Sequence, residues 1–231
     1  MTPTLALLPS PLLGPAAWAP VARRLAAMGW PVVVPPPGSN APRHPDDVVE
    51  TLLAGLPADQ PLVLIPHSNA GAYVPAVTAA REVVGFVFVD ARLPDSVGPV
   101  PMAASGMLDA LAAMADADGL LPPWTAWWAE EDVAPLFPDR PTRDDVEAGQ
   151  PRLPLSYFRE SAAAPVGWDG RPGAYLAFGD TYADERQAAI DRGWPARTLP
   201  GRHLHMLHDP DQVAAEIISL LAKARVFGPP D

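Results

Sequence analysis

Leu62-Val63-Leu64-Ile65-Pro66-His67-Ser68-Asn69-Ala70-Gly71 is an apolar run of strand type that halts at a serine and passes into small residues. An alanine-rich stretch of helix type follows, through Arg81. A strand that turns sharply into a helix can hold one hydroxyl at its tip, clear of the backbone, and that geometry makes a nucleophile. The same turn can instead carry a serine that only caps the next helix. What separates the two readings is whether a base, an acid and donors for a developing negative charge stand on the same rim.

Outward from this stretch, strand-type and helix-type segments alternate. Strands are expected at Thr4 to Leu8, Pro31 to Val34, Leu62 to Ile65, Val83 to Val89, Ala174 to Phe178 and Ala196 to Leu199. Helices are expected at Ala17 to Met28, Asp46 to Leu56, Asn69 to Arg81, Asp184 to Arg192 and Asp211 to Ala224. The strands are continuously apolar rather than alternating, which argues for a parallel sheet covered on both faces. From about Ala91 to Trp168 the periodicity gives way to Pro, Ala and Trp, with helical pieces near Ala103 to Asp116 and Trp124 to Ala129. Residues 92–168 are therefore expected as an insertion over one face of a single domain spanning residues 1–231.

The composition narrows the function classes. The chain has 231 residues, 48% of them apolar, enough for one sizeable core. A formal charge of -11 disfavours nucleic acid and anionic membranes as partners. With no cysteine there are no disulfides, no thiolate metal sites and no cysteine nucleophile. The apolar N-terminus has no preceding Lys or Arg and is broken by prolines, a poor signal peptide, so a cytoplasmic location is expected. No apolar run reaches the length of a membrane span without a proline. The 32 prolines fall mostly between periodic segments and read as loop stiffeners and helix starts.

In an open parallel sheet, ligands bind at the carboxyl ends of the strands. Ser68, Asp90, Asp180 and His203 each lie just after an expected strand, so four polar candidates share one rim. A hydroxyl becomes a good nucleophile when an imidazole takes its proton, and His203 is the candidate base. His67 alternates away from Ser68 along the strand and reads as a packing or hydrogen-bonding residue. His203, His205 and His208 lack a fixed carboxylate partner and form only a loose metal signal.

With these pieces the chain resembles an α/β-hydrolase. Leu62 to Gly71 resembles the strand and nucleophile elbow of that family. Trp18-Ala19-Pro20-Val21, followed by Gly29-Trp30-Pro31-Val32-Val33-Val34-Pro35, resembles the first helix and next strand of esterase-like members. Gly201-Arg202-His203-Leu204-His205-Met206-Leu207-His208-Asp209-Pro210 resembles the histidine loop, whose catalytic histidine precedes a proline that opens the last helix. The resemblance implies an α/β-hydrolase fold, a mostly parallel sheet of about six strands flanked by helices, with a helical lid insertion. It also implies a serine hydrolase acting on a small, moderately hydrophobic ester, thioester, lactone or amide, with no cofactor or metal.

Three departures from the family pattern shape the expectations. The elbow reads Pro66-His67-Ser68-Asn69-Ala70, with the glycine moved to Gly71. The oxyanion loop reads Pro9-Ser10-Pro11-Leu12-Leu13-Gly14, and Pro11, at the usual donor position, has no N–H. One oxyanion donor is then the Asn69 N–H, and the second is the Leu12 N–H, the Ser10 hydroxyl or nothing. The acid is Asp90, after the strand that follows the elbow helix, or alternatively Asp180. Leu12, Trp124, Trp128 and Tyr157 are expected to line the substrate pocket. The altered oxyanion loop also motivates another reading: a non-hydrolytic cyclase or lyase-type catalyst on this fold, or a ligand-binding relative without hydrolysis.

Overall fold

Every residue of the runs Thr4–Leu8 and Leu62–Ser68 is buried, which an apolar strand can achieve only in a sheet covered on both sides. In the computed structural model, which describes residues 2–104 and 106–226, that sheet has six strands. The chain runs β1 (Thr4–Leu8), α1 (Ala19–Ala27), β2 (Val32–Val33), α2 (Pro45–Gly55), β3 (Leu62–Ser68), α3 (Val74–Ala80) and β4 (Val83–Ala91). An inserted segment follows, with β5 (Val100–Pro101), α4 (Met107–Met114), α5 (Glu130–Val133), α6 (Arg140–Ala148), α7 (Leu155–Phe158) and β6 (Ser161–Ala162). The chain then resumes with β7 (Gly173–Phe178), α8 (Ala183–Asp191), β8 (Ala196–Leu199), α9 (His205–His208) and α10 (Pro210–Lys223).

The main sheet has the order β2-β1-β3-β4-β7-β8 and all its pairs are parallel. The chain leaves β1 to one side, forms β2, and returns to form β3 on the other side. The topological switch therefore lies between β1 and β3, with a crevice at their carboxyl ends. Side chains alternate between two apolar layers: Leu5 and Leu7 of β1 face one, Ala6 and Leu8 the other. One layer packs under α1 and α10, the other under α2 and α3, and the segment between β4 and β7 adds to both, with Val133 and Val146 in the first and Leu111 and Tyr157 in the second.

Several expected boundaries move for local reasons. The strand expected at Leu62 to Ile65 runs on to Ser68, because Pro66 still pairs with Leu8 of β1. The strand expected at Pro31 to Val34 shrinks to Val32–Val33, flanked by prolines that have no N–H to give. The first helix opens with a 3-10 turn at Pro15–Trp18, and the stretch expected as a helix at Trp124 to Ala129 is a 3-10 turn at Trp124–Trp127. β5 and β6 form an antiparallel pair inside the insertion, a feature without alternating pattern in the sequence. Among the described residues no helix is long and apolar enough to cross a membrane.

Candidate active site

Ser68 ends β3 at φ 57 and ψ -129, a left-handed conformation that non-glycine residues rarely adopt. Holding a residue there costs about 1–3 kcal/mol and persists only where the surroundings impose it. The register with β4 shifts between His67 and Ser68, and the Arg92 N–H then donates to the Ser68 carbonyl at 3.0 Å. Beyond the serine the chain enters a 3-10 turn, Asn69–Tyr73, that feeds α3. The Asn69 N–H opens this turn, where a helical segment's first N–H groups have no carbonyl one turn back.

The displaced glycine now has a physical reason. A Cβ on Gly71 would lie 1.9 Å from the Arg92 carbonyl oxygen, so the turn after Ser68 runs directly against the end of β4. Ala70, by contrast, is fully buried and accommodated.

Asp90 lies near the end of β4, fully buried, with φ 41. Its Oδ1 accepts the Phe178 N–H at 2.9 Å, and its Oδ2 is 2.7 Å from Nδ1 of His203. The carboxylate thus reaches across the end of β7 to the loop after β8, and the protein holds both of its oxygens. Tyr175 fixes the neighbouring backbone: its hydroxyl donates to the Ala91 carbonyl at 2.6 Å and accepts the Ala91 N–H at 3.1 Å. Asp180, the alternative acid, goes elsewhere. Gly179 turns the chain at φ 72, and the Asp180 side chain is 89% exposed, 4.0 Å from Arg186.

His203 is held from below by His67. The His67 Nε2–H donates to the His203 carbonyl at 3.0 Å, and the two rings stack with centroids 4.6 Å apart. Because the carbonyl can only accept, the His67 proton is on Nε2, and the buried Nδ1 has no hydrogen-bond partner among the described residues. Burial, with the adjacent His203 second, holds His67 well below the usual histidine range, so it stays neutral. His67, expected as a packing or hydrogen-bonding residue, thus packs on and hydrogen-bonds the His203 loop. His205 turns instead to Gln212 and to the edge of the Phe178 ring.

Ser68 Oγ is 3.5 Å from the Tyr182 hydroxyl, and among the described residues no hydrogen bond joins Oγ to the His203 ring. Tyr182 lies beside His203, ring centroids 5.7 Å apart. Burial pushes its phenol up to about 12. Neither contact was visible in the sequence, where Tyr182 lies in a stretch without periodicity and 114 residues from Ser68.

The remaining expected residues divide. Trp124 stands against the His203 ring at 5.8 Å. Trp128 is a correction: it is 50% exposed, and its ring meets that of Trp124 edge-on with centroids 6.4 Å apart. Tyr157 is another: it is fully buried, and its hydroxyl meets that of Tyr73, which also donates to Asn69 Oδ1 at 3.4 Å. It therefore braces the elbow from beneath rather than lining open space. The Leu12 N–H and the Ser10 hydroxyl, the two candidates for the second oxyanion donor, meet each other: the Leu12 N–H donates to Ser10 Oγ at 3.3 Å. A cavity of about 310 Å³ borders this loop on the side of Pro36–Pro42 and Gly149, but Ser68, Asp90 and His203 do not line it.

No family model and no curated protein matches the sequence. Solved structures do resemble it. An extracellular α/β-hydrolase from a Paenibacillus species, described as sharing structural and functional homology with tobacco salicylic acid binding protein 2, superposes with a TM-score of 0.72 at 16% identity, covering 96% of this chain and 98% of that one. Tomato methylketone synthase I, complexed with 2-tridecanone, gives 0.72 at 16% identity over 97% and 99% of the two chains. The pyrethroid hydrolase PytH gives 0.68 at 19% identity over 97% and 98%. The chain has the α/β-hydrolase fold.

Proposed function

We propose that the chain is a serine hydrolase that transfers the acyl group of a small, moderately hydrophobic ester, thioester, lactone or amide to water. The observation that carries this reading is the buried His203–Asp90 contact of 2.7 Å on the rim where Ser68 stands at φ 57. Ser68 Oγ attacks the acyl carbon while its proton passes to Nε2 of His203. Asp90 holds Nδ1 protonated and stabilises the imidazolium. The Asn69 N–H donates to the carbonyl oxygen as it becomes anionic. His203 then returns the proton to the leaving group, and water repeats the sequence on the acyl-enzyme. Hydrogen bonds between catalytic groups are often long before substrate arrives, which fits a Ser68 that has yet to engage His203. Residues 92–168 serve as the lid, with Trp124 giving the substrate an apolar wall against His203.

The test is turnover of a p-nitrophenyl ester by the wild type and by Ser68→Ala. The reading expects the variant to lose at least about 10³-fold in kcat; equal turnover by the two proteins overturns it. A second reading has its own observation. Pro11 has no N–H and the Leu12 N–H is turned to Ser10, so the oxyanion loop offers little to a tetrahedral intermediate. Under that reading the site performs a cyclase- or lyase-type proton transfer, or only binds a ligand, and no acyl-enzyme forms on Ser68.

A further inference from the structure

We propose that Tyr182 is a catalytic residue of this site: its hydroxyl donates a hydrogen bond to the leaving-group oxygen as the bond between that oxygen and the acyl carbon breaks. The inference rests on the hydrolase reading and extends it. Its basis is placement. The Tyr182 hydroxyl is 3.5 Å from Ser68 Oγ, and among the described residues that is its hydrogen-bond contact. Its ring lies beside that of His203, centroids 5.7 Å apart and planes inclined by 40°. The phenol thus approaches Oγ from the side of the imidazole, whereas the Asn69 N–H belongs to the turn that leads into α3. In acyl transfer the leaving group departs on the side of the histidine that protonates it, and the oxyanion forms on the side of the turn.

The position in the chain is consistent with this role. The loop after β7 is where the family's acid commonly stands, and here the carboxylate comes from Asp90 on β4. The loop is therefore free to present a different group, and it presents a phenol directed at the nucleophile. Burial pushes that phenol up to about 12, so it keeps its proton at neutral pH and acts as a donor.

The step balances without any further reagent. Ser68 Oγ forms a bond to the acyl carbon and its proton goes to His203 Nε2. When the tetrahedral species collapses, the carbon–leaving-oxygen bond breaks and His203 returns that proton to the departing oxygen. Tyr182 keeps its own proton and only solvates the charge that builds on that oxygen. Before substrate binds, the same hydroxyl contacts Ser68 Oγ; in the reaction it passes to the leaving oxygen.

A donor to the leaving group matters in proportion to the charge that group must carry. A p-nitrophenolate leaves readily as an anion, whereas an alkoxide does not. The test compares kcat/KM, which reports acylation, for p-nitrophenyl butyrate and ethyl butyrate with wild type and Tyr182→Phe. The expected result is a roughly 10- to 100-fold loss on the ethyl ester, the scale of one hydrogen bond to a charged group, with little change on the p-nitrophenyl ester. Labelling of Ser68 by a fluorophosphonate, whose fluoride needs no proton, is expected to persist in the variant. Equal losses on both esters, or no loss on either, overturn the proposal. Should Tyr182→Phe fail to fold, 4-aminophenylalanine and 4-methylphenylalanine incorporated at position 182 give the same comparison. The amine keeps ethyl-ester turnover and the methyl group loses it; equal behaviour overturns the role. A wild type that turns over neither ester overturns the hydrolase reading and this inference with it, whereas an active wild type with an indifferent Tyr182 overturns this inference alone.

Discussion

Asp90 leaves β4 at φ 41, and that one dihedral directs a buried carboxylate across the end of β7 to His203. Asp180, one strand over, is spent on solvent and on Arg186. Asp90→Asn is accordingly expected to lower kcat on the order of 10⁴-fold, as the loss of a histidine-orienting carboxylate does. Asp180→Asn is expected to leave kcat unchanged, and matched activity of the two variants contradicts the assignment. In the sequence both aspartates follow apolar strands, with Asp90 expected as the acid and Asp180 as the alternative. The difference lies in the order β4-β7-β8, which a linear reading does not supply. His67 carries a second expectation at this scale. The unfolded chain binds a proton on this imidazole near pH 6.5, whereas the folded protein refuses it until well below that value. Stability is then unaffected by His67 above about pH 6.5 and falls as pH drops below it, by up to about 1.4 kcal/mol per pH unit. His67→Gln keeps an N–H for the His203 carbonyl without titrating. Urea unfolding at pH 7.5 and pH 5.5 should show the wild type losing more stability than the variant on acidification; parallel losses contradict a neutral, buried His67.

Among the elements, the turn between β3 and α3 is the most constrained. Its serine is strained, its third residue has no room for a methyl group beside the Arg92 carbonyl, and the Tyr73–Tyr157 hydroxyl pair braces it from below. Gly71→Ala is expected to destabilise the protein by more than about 3 kcal/mol, because the obstructing atom is backbone and cannot rotate aside. A thermal melt within experimental error of the wild type contradicts that contact. The strands were legible from the sequence because a buried parallel strand is a continuous apolar run with Pro or Gly at its ends. The inserted segment was not legible in detail. Its 3-10 turns, the antiparallel β5–β6 pair and the inward burial of Tyr157 arise from packing onto the body, and Pro, Ala and Trp carry no period that encodes them. The same blindness applies to Tyr182, whose loop after β7 has no periodicity and whose partner, Ser68, is remote in sequence.

At the scale of the molecule, the six-stranded order places the switch point between β1 and β3, and Ser68 stands on its β3 side. The loop after β1 starts beside the end of β3, where Leu8 pairs with Pro66 and Ser68 is the last residue. Asp90 and His203 close the other side from β4 and from the loop after β8, with Tyr182 beside the His203 ring and its hydroxyl near Ser68 Oγ. This arrangement follows from the topology more than from any motif, which is why an elbow with Pro66 and a displaced glycine can still present a strained serine. The central claim is that this serine is a nucleophile, and covalent capture tests it most directly. Intact-mass measurement after incubation with a fluorophosphonate, followed by peptide mapping, should find one adduct per chain, located on Ser68 and lost in both Ser68→Ala and His203→Ala. A wild-type protein that gains no mass, or an adduct that maps to any other residue, contradicts it.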